Sequence, residues 1–246
     1  MHLTIIGSGD AFGSGGRYNT CFFLETDKAN LLVDCGASSL PALKAQGIDP
    51  NRIDGVILSH LHGDHFGGLP FLLLDGRFSR RDKPLTIAGP PGTRARLDAL
   101  MEVFFPKSTG STWKFSWSVQ EIAVGIETDV LGHAVVTAEV IHQSGAPSTA
   151  LRISDGDKVF AYSGDTEWTD ALLPIARDAD LFICECYAYA GKLSGHMSWE
   201  ILQPRLADLR ARQVMVTHMN PTMLARLDEV RAGGVLVADD GLRLAF

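Results

Sequence analysis

Apolar and β-branched positions open the chain in short runs bounded by Gly, Asp or Asn. Residues 2–6 (HLTII), 20–25 (TCFFLE) and 30–34 (NLLVD) therefore predict three strands joined by turns. A helix is predicted over 38–46, with Ser38 and Ser39 as caps and Gly47 as its stop, followed by a strand at 54–58 (DGVIL). The alternation continues with a helix near 68–78, a strand at 84–88 (PLTIA), and a helix near 92–105 introduced by the Pro90-Pro91-Gly92 turn. From 113 to 162 the pattern switches to successive strands, among them 119–124, 134–141, 148–153 and 157–162, with turns such as Asp155-Gly156-Asp157. Helical periodicity returns over 168–177 and 198–211, strands are predicted at 180–184 (DLFIC) and 213–217 (QVMVT), and segments 235–237 and 242–245 predict a closing hairpin. With no linker, repeat or low-complexity tract, this order predicts one α/β domain over 1–246, in which two packed sheets carry helices on their outer faces.

A hydrophobic content of 46% and a charged content of 21% are those of a soluble globular protein with a substantial core. No apolar run approaches the roughly 20 residues of a membrane helix. The N-terminus also lacks the basic stretch and apolar run of a secretory signal, so a cytoplasmic location and no membrane partner are expected. Cys21, Cys35, Cys184 and Cys186 lie in apolar segments rather than at disulfide or Cys-x-x-Cys spacing, and read as reduced core thiols. Cys184 and Cys186, two apart on a strand, share a face. The net charge of −7 gives no general attraction to phosphate backbones, which favours small substrates over long nucleic acids. The basic run Arg77, Arg80, Arg81 and Lys83 reads as a solvated surface whose nearness to the motif described next makes substrate contact worth testing.

Six of the eight histidines fall at the carboxyl ends of predicted strands or in the loops after them, where a rigid sheet aims side chains at a common point. The densest group is Ser59-His60-Leu61-His62-Gly63-Asp64-His65, directly after strand 54–58. Imidazole and carboxylate are the ligands that borderline divalent ions such as zinc favour, and Gly63 is expected to let the backbone turn sharply enough for them to converge. His142, Asp165 and His218 each follow another apolar strand. Together these ligands exceed the needs of one tetrahedral ion but suit two ions bridged by a carboxylate. His2 and His133 read as structural.

His-x-His-x-Asp-His, then a single His, an Asp in the Ser163-Gly164-Asp165-Thr166 turn and a last His resembles the metallo-β-lactamase superfamily, in an order that holds along the whole chain. The resemblance implies an αββα four-layer sandwich of two mixed sheets, with two divalent metal ions at one edge: zinc first, with manganese, iron or nickel as alternatives. It implies that His60, His62 and His142 hold one ion, Asp64, His65 and His218 the other, and that Asp165 bridges them. Gly7-Ser8-Gly9, Arg17 with Asn19-Thr20, Gly89-Pro90-Pro91-Gly92 and Gly195-His196-Met197-Ser198 resemble the ribonuclease Z and phosphodiesterase branch. Glu185 and His196 look like that branch's paired carboxylate and general acid, and Asp34 like its orienting carboxylate behind a ligand imidazole. Relatives in the branch are often homodimers, so a homodimer is expected. Ribonuclease Z also carries a long tRNA-gripping arm after the segment matching Gly89–Gly92, whereas residues 93–118 hold only a short, mildly basic stretch with Trp113 and Trp117.

The expected chemistry is hydrolysis of small phosphodiesters, cyclic nucleotides or short RNA by a hydroxide held between the ions, with Asp64 in the catalytic centre and His196 protonating the leaving oxygen. A carboxyl-ester, lactone or thioester hydrolase could use the same ions. Such relatives often show Thr-Pro-Gly-His at the third metal motif, where this chain reads Val140-Ile141-His142-Gln143-Ser144. A redox or purely binding role ranks last, because every hydrolytic ligand position is filled.

Overall fold

The computed structural model describes residues 1–108, 110 and 112–246. Its first half contains β1 (His2–Gly7), β2 (Cys21–Glu25), β3 (Asn30–Val33), α1 (Ser39–Ala45), β4 (Gly55–Ile57), α2 (Gly63–Phe66), α3 (Leu69–Phe78), β5 (Leu85–Gly89), α4 (Thr93–Phe104) and β6 (Trp117–Glu121). The second half begins with β7 (Thr128–Val130), β8 (His133–Glu139), β9 (Thr149–Asp155), β10 (Lys158–Tyr162), α5 (Leu172–Ala176) and β11 (Leu181–Glu185). It ends with α6 (Trp199–Leu202), α7 (Leu206–Leu209), β12 (Val214–Thr217), α8 (Pro221–Leu224), α9 (Leu227–Ala232), β13 (Leu236–Val237) and β14 (Arg243–Ala245). Two seven-stranded sheets result, ordered β14-β1-β2-β3-β4-β5-β6 and β13-β12-β11-β10-β9-β8-β7.

Strand side chains alternate between faces, and both faces of these strands are apolar, so each sheet feeds two cores. Phe22, Leu24, Leu31 and Val33 meet Leu151, Ile153, Phe160, Tyr162, Leu181 and Ile183 between the sheets. The intervening Cys21, Phe23 and Leu32 turn outward onto Leu43 of α1, Leu72 of α3 and Leu97 of α4. On the other sheet Ala161, Phe182 and Cys184 pack under Ile175 of α5, Trp199 of α6 and Val230 of α9. Three cores between four layers are the predicted sandwich. Cys184 and Cys186 share the outer core as expected, and burial pushes both thiols up, away from reactivity.

The structure corrects several elements. The helix expected over 198–211 is broken into α6, a 3-10 turn at Gln203–Arg205 and α7, because Pro204 has no N–H for a helical bond and its ring crowds the carbonyl four residues back. The helix expected over 168–177 keeps only Leu172–Ala176, and the strand expected at 119–124 sits at Trp117–Glu121. The closing hairpin does not form: β13 pairs parallel with β12, and β14 pairs antiparallel with β1 in the opposite sheet. The crossing between sheets is pinned by Asp240, which accepts from Ser8 N and Tyr18 N at 2.8 Å each. Short β7, α8 and α9 were not predicted, although Asn220 and Pro221 form a capped helix start: Asn220 accepts from Thr222 N at 2.9 Å.

The basic run is not simply a solvated surface. Arg81 is buried and donates to the carbonyls of Ile53 at 2.6 Å, Pro84 at 2.7 Å and Lys83 at 2.8 Å. Lys83 pairs with Asp54 at 2.7 Å, and Arg77 lies over the Trp113 ring. Residues 105–116 alone connect α4 to β6, with Phe105, Trp113 and Phe115 packed onto the outer core. Among the described residues no helix is long and apolar enough to cross a membrane.

Candidate metal centre

Parallel strands bring their carboxyl ends to one edge of a sheet, and both sheets use this geometry at the same place. β3 and β4 run parallel in the first sheet, and β10, β11 and β12 in the second. β8 is antiparallel to β9, which is antiparallel to β10, so it points the same way. Asp34 follows β3, residues 59–65 follow β4, His142 follows β8, Asp165 follows β10, Glu185 ends β11 and His218 follows β12. Asp34 and His218 have φ of 58° and 60°, a left-handed conformation uncommon outside glycine and found where a chain must turn a side chain sharply into a site.

The sequence-predicted ligands converge. His60, His62 and His142 form one group, Asp64, His65, Asp165 and His218 another, and within each group one donor atom per residue lies within 4.8 Å of all the others. His62 Nδ1 and His142 Nε2 are 2.9 Å apart. Asp64 Oδ2 lies 3.3 Å from His65 Nε2 and 3.1 Å from His218 Nε2. Asp165 Oδ2 faces both groups, at 3.2 Å from His65 Nε2, 3.3 Å from His218 Nε2 and 4.0 Å from His60 Nε2. Ligand atoms about 2.1 Å from a tetrahedral ion lie roughly 3.4 Å from one another, so these spacings fit divalent ions. His60 Nε2 and Asp165 Oδ1 are buried without a hydrogen-bond partner among the described residues. Each such orphan costs about 1–3 kcal/mol unless something fills the role, and the donor set is of the type that zinc and its neighbours take.

The outward nitrogens of three of these imidazoles are tied, which fixes the ring planes. His65 Nδ1 meets Asp34 Oδ2 at 2.7 Å, His142 Nδ1 meets the Gly195 carbonyl at 2.7 Å, and His60 Nδ1 meets Ser59 Oγ at 3.1 Å. Asp34 is itself held by Ser59 N and Ser59 Oγ, both at 2.7 Å. It therefore orients a ring rather than capping α1. The close approach is made by Gly36, where a Cβ would lie 2.1 Å from the Asp64 carbonyl oxygen. Gly63, expected to provide the sharp turn, has no positive φ and open space at its Cβ position. His133 is structural as expected, bonded to Thr26 Oγ1 and the Val130 carbonyl.

Glu185 and His196, eleven residues apart in sequence, meet at 3.0 Å through Oε1 and Nδ1. Glu185 is fully buried and accepts from Thr166 N at 2.8 Å and Tyr187 N at 3.1 Å, which holds it in place. Burial opposes a charge on His196, but the Glu185 carboxylate beside it prevails and lifts the imidazole to about 9. The ring lies 5.0 Å from that of His142 and 5.7 Å from that of His218, centroid to centroid, so it faces both ligand groups. Tyr187 stacks on it at 4.8 Å. Sequence reasoning missed Tyr187, the Gly195 carbonyl and Ser59, of which only Ser59, inside the ligand motif, had a signal.

A family model described as Anti-Pycsar protein Apyc1 matches residues 1–236. The probable metallo-hydrolase YhfI of Bacillus subtilis (strain 168) is 29% identical over 233 residues, covering 89% of this chain and 87% of that protein. Ribonuclease Z of Methanothermobacter thermautotrophicus is 22% identical over 271 residues, covering 89% and 87%. The crystal structure of the metallo-beta-lactamase fold protein YhfI superposes with a TM-score of 0.81 at 23% identity over 99% of this chain and 98% of the other. That of human tRNase Z, short form, gives 0.80 at 22% over 100% and 99%. With its His/Asp clusters at the expected sheet edge, the chain is a metal-dependent hydrolase of the ribonuclease Z and phosphodiesterase-like branch of the metallo-β-lactamase fold, and it belongs to the Anti-Pycsar protein Apyc1 family.

Proposed function

We propose that the protein is a phosphodiesterase that uses two divalent ions, zinc first among them, to hydrolyse small phosphodiesters, cyclic nucleotides or short RNA. The observation that carries this reading is the His196–Glu185 pair at 3.0 Å, turned toward the ligand cluster. The leaving group of a phosphodiester departs as an alkoxide that needs a proton, whereas that of a thioester departs as a stable thiolate that does not. A carboxyl ester would need the proton too, and against it stands Val140-Ile141-His142-Gln143-Ser144 in place of Thr-Pro-Gly-His. His60, His62 and His142 would hold one ion, Asp64, His65 and His218 the second, with Asp165 between them. Bound there, the ions would lower the pKa of water from about 15.7 toward 7 and offset charge on the phosphoryl oxygens.

The chain's own residues supply the rest. With Nδ1 engaged by Glu185, His196 is left with Nε2 to face the leaving oxygen, and a value near 9 keeps it protonated at neutral pH. Donation from Nε2 leaves a neutral ring still held by Glu185, ready to be reprotonated from solvent. The net charge of −7 and the short connection 105–116 support small substrates over a gripped tRNA. The test is turnover of bis(p-nitrophenyl) phosphate beside a p-nitrophenyl ester and a thioester, by ion-reconstituted protein and by Asp64→Ala. Diester turnover that the variant loses supports the reading. Ester or thioester turnover with diesters untouched overturns it in favour of an acyl hydrolase.

A further inference from the structure

Arg96 stands in the first turn of α4, where the helix dipole disfavours a cation. Among the described residues, all three of its side-chain hydrogen bonds go to backbone carbonyls and no carboxylate pairs with it. Those carbonyls belong to two loops that are far apart in sequence. Nη1 reaches Leu61 O at 3.3 Å and Ser144 O at 2.7 Å, and Nη2 reaches Gly145 O at 3.1 Å. Leu61 is the residue between His60 and His62, and Ser144 lies two residues after His142. One planar guanidinium therefore spans the two loops that carry the histidine triad, gripping the first at Leu61 between His60 and His62; Asp64 and His65 of the other group lie beyond that grip, on α2. The fit is close: a Cβ at Gly145 would lie 3.0 Å from Nη2. The second group has separate supports, Asp34 on His65 and the Ser8 carbonyl accepting from His218 N at 3.1 Å.

We propose that Arg96 is a positioning residue that sets the affinity of the His60/His62/His142 ion site and leaves the Asp64/His65/His218 site unaffected. The proposal rests on the two-ion reading above. A flexible lysine offers a point charge without the fixed fork that reaches two loops at once, so it should replace arginine only in part.

The test compares zinc uptake by the apo forms of wild type, Arg96→Met, Arg96→Lys and Arg94→Met, read by chelator competition and native mass spectrometry, with apo melting temperatures alongside. Arg94→Met controls for the helix, because Arg94 pairs within it to Asp98 at 2.8 Å. Wild type should bind two ions. Arg96→Met should keep one at wild-type affinity and bind the other about tenfold or more weakly, the usual size of a supporting-shell effect. Arg96→Lys should fall between, with apo melting matching the Arg94→Met control. With one equivalent of zinc added to Arg96→Met, the imidazole NMR signals of His62 and His142 should stay at their apo positions while those of His65 and His218 shift. Unchanged affinity for both ions in Arg96→Met overturns the proposal, as does an equal loss at both sites or a loss tracking a drop in apo melting temperature. If wild type takes up only one ion, the two-ion reading fails, and an undiminished affinity for that ion in Arg96→Met rejects the clamp as well.

Discussion

His196 is where sequence, charge and reaction meet in a single ring. Its proton must be present for donation, and the neighbouring carboxylate raises it to about 9 against the pull of burial. Diester hydrolysis should therefore fall on the alkaline side as His196 loses its proton, and that limb of the pH–rate profile should vanish in His196→Ala, with kcat down by roughly 10²–10⁴. An unchanged limb in the variant would assign it to another group. The seven candidate ligands, which the structure brings together in two groups, stood out because each is a polar residue at or just after the end of an apolar strand. Orienting contacts were less legible. Asp34 stood out only through the resemblance, and it is the 2.7 Å bond to His65 that makes it a ring partner. Gly63, at the centre of the motif, drew attention that belonged to Gly36, whose need for a bare Cα comes from the Asp64 carbonyl 28 residues further along the chain. The Gly195 carbonyl carries no side-chain signature at all.

At the scale of elements, strands with both faces apolar could be read at once, because burial on both faces leaves continuous Val, Ile, Leu and Phe runs. Partner choice could not. Segments 235–237 and 242–245 are close in sequence, yet join opposite sheets, since period-2 patterning says which face is buried and nothing about the neighbouring strand. The break at Pro204 was written in the sequence, but the flanking apolar periodicity masked it. Asp180, at the start of β11, shows how an element is locked from outside. Its carboxylate accepts from Val159 N of β10 at 2.9 Å and Arg212 Nη1 at 2.8 Å, with Lys158 Nζ at 3.4 Å. Despite burial, the Val159 N–H and the two cations hold it below the usual value of 3.8. The charged form is thus favoured in the folded state, so its stabilisation is complete above pH 3.8 and is lost as pH falls through the depressed value. Asp180→Asn should be less stable than wild type by about 1–2 kcal/mol at pH 7. In urea melts the gap should close toward zero in acid; a gap that persists there would mean that packing, not charge, is responsible.

In the whole molecule the ligand set is divided between the sheets. His60, His62, Asp64 and His65 come from the first and His142, Asp165 and His218 from the second, so ions held at this edge would tie the two halves of the sandwich together. Binding to the folded state alone contributes about 2.7 kcal/mol when free ion stands at 100 times Kd. For a domain of this size that is roughly 5–10 °C of melting temperature per ion. A chelator should remove that increment, and zinc should restore it. An increment that survives the loss of Asp165 in Asp165→Ala would mean that zinc acts elsewhere. The central claim is that this edge opens phosphodiesters, and the most direct measurement is phosphorus NMR of a 3′,5′-cyclic nucleotide incubated with ion-reconstituted protein, with its chelated form and with Asp64→Ala. The account predicts a phosphomonoester signal that grows with the loaded protein and with neither of the others. An unchanged cyclic diester, from a preparation that hydrolyses p-nitrophenyl esters or thioesters, would contradict it.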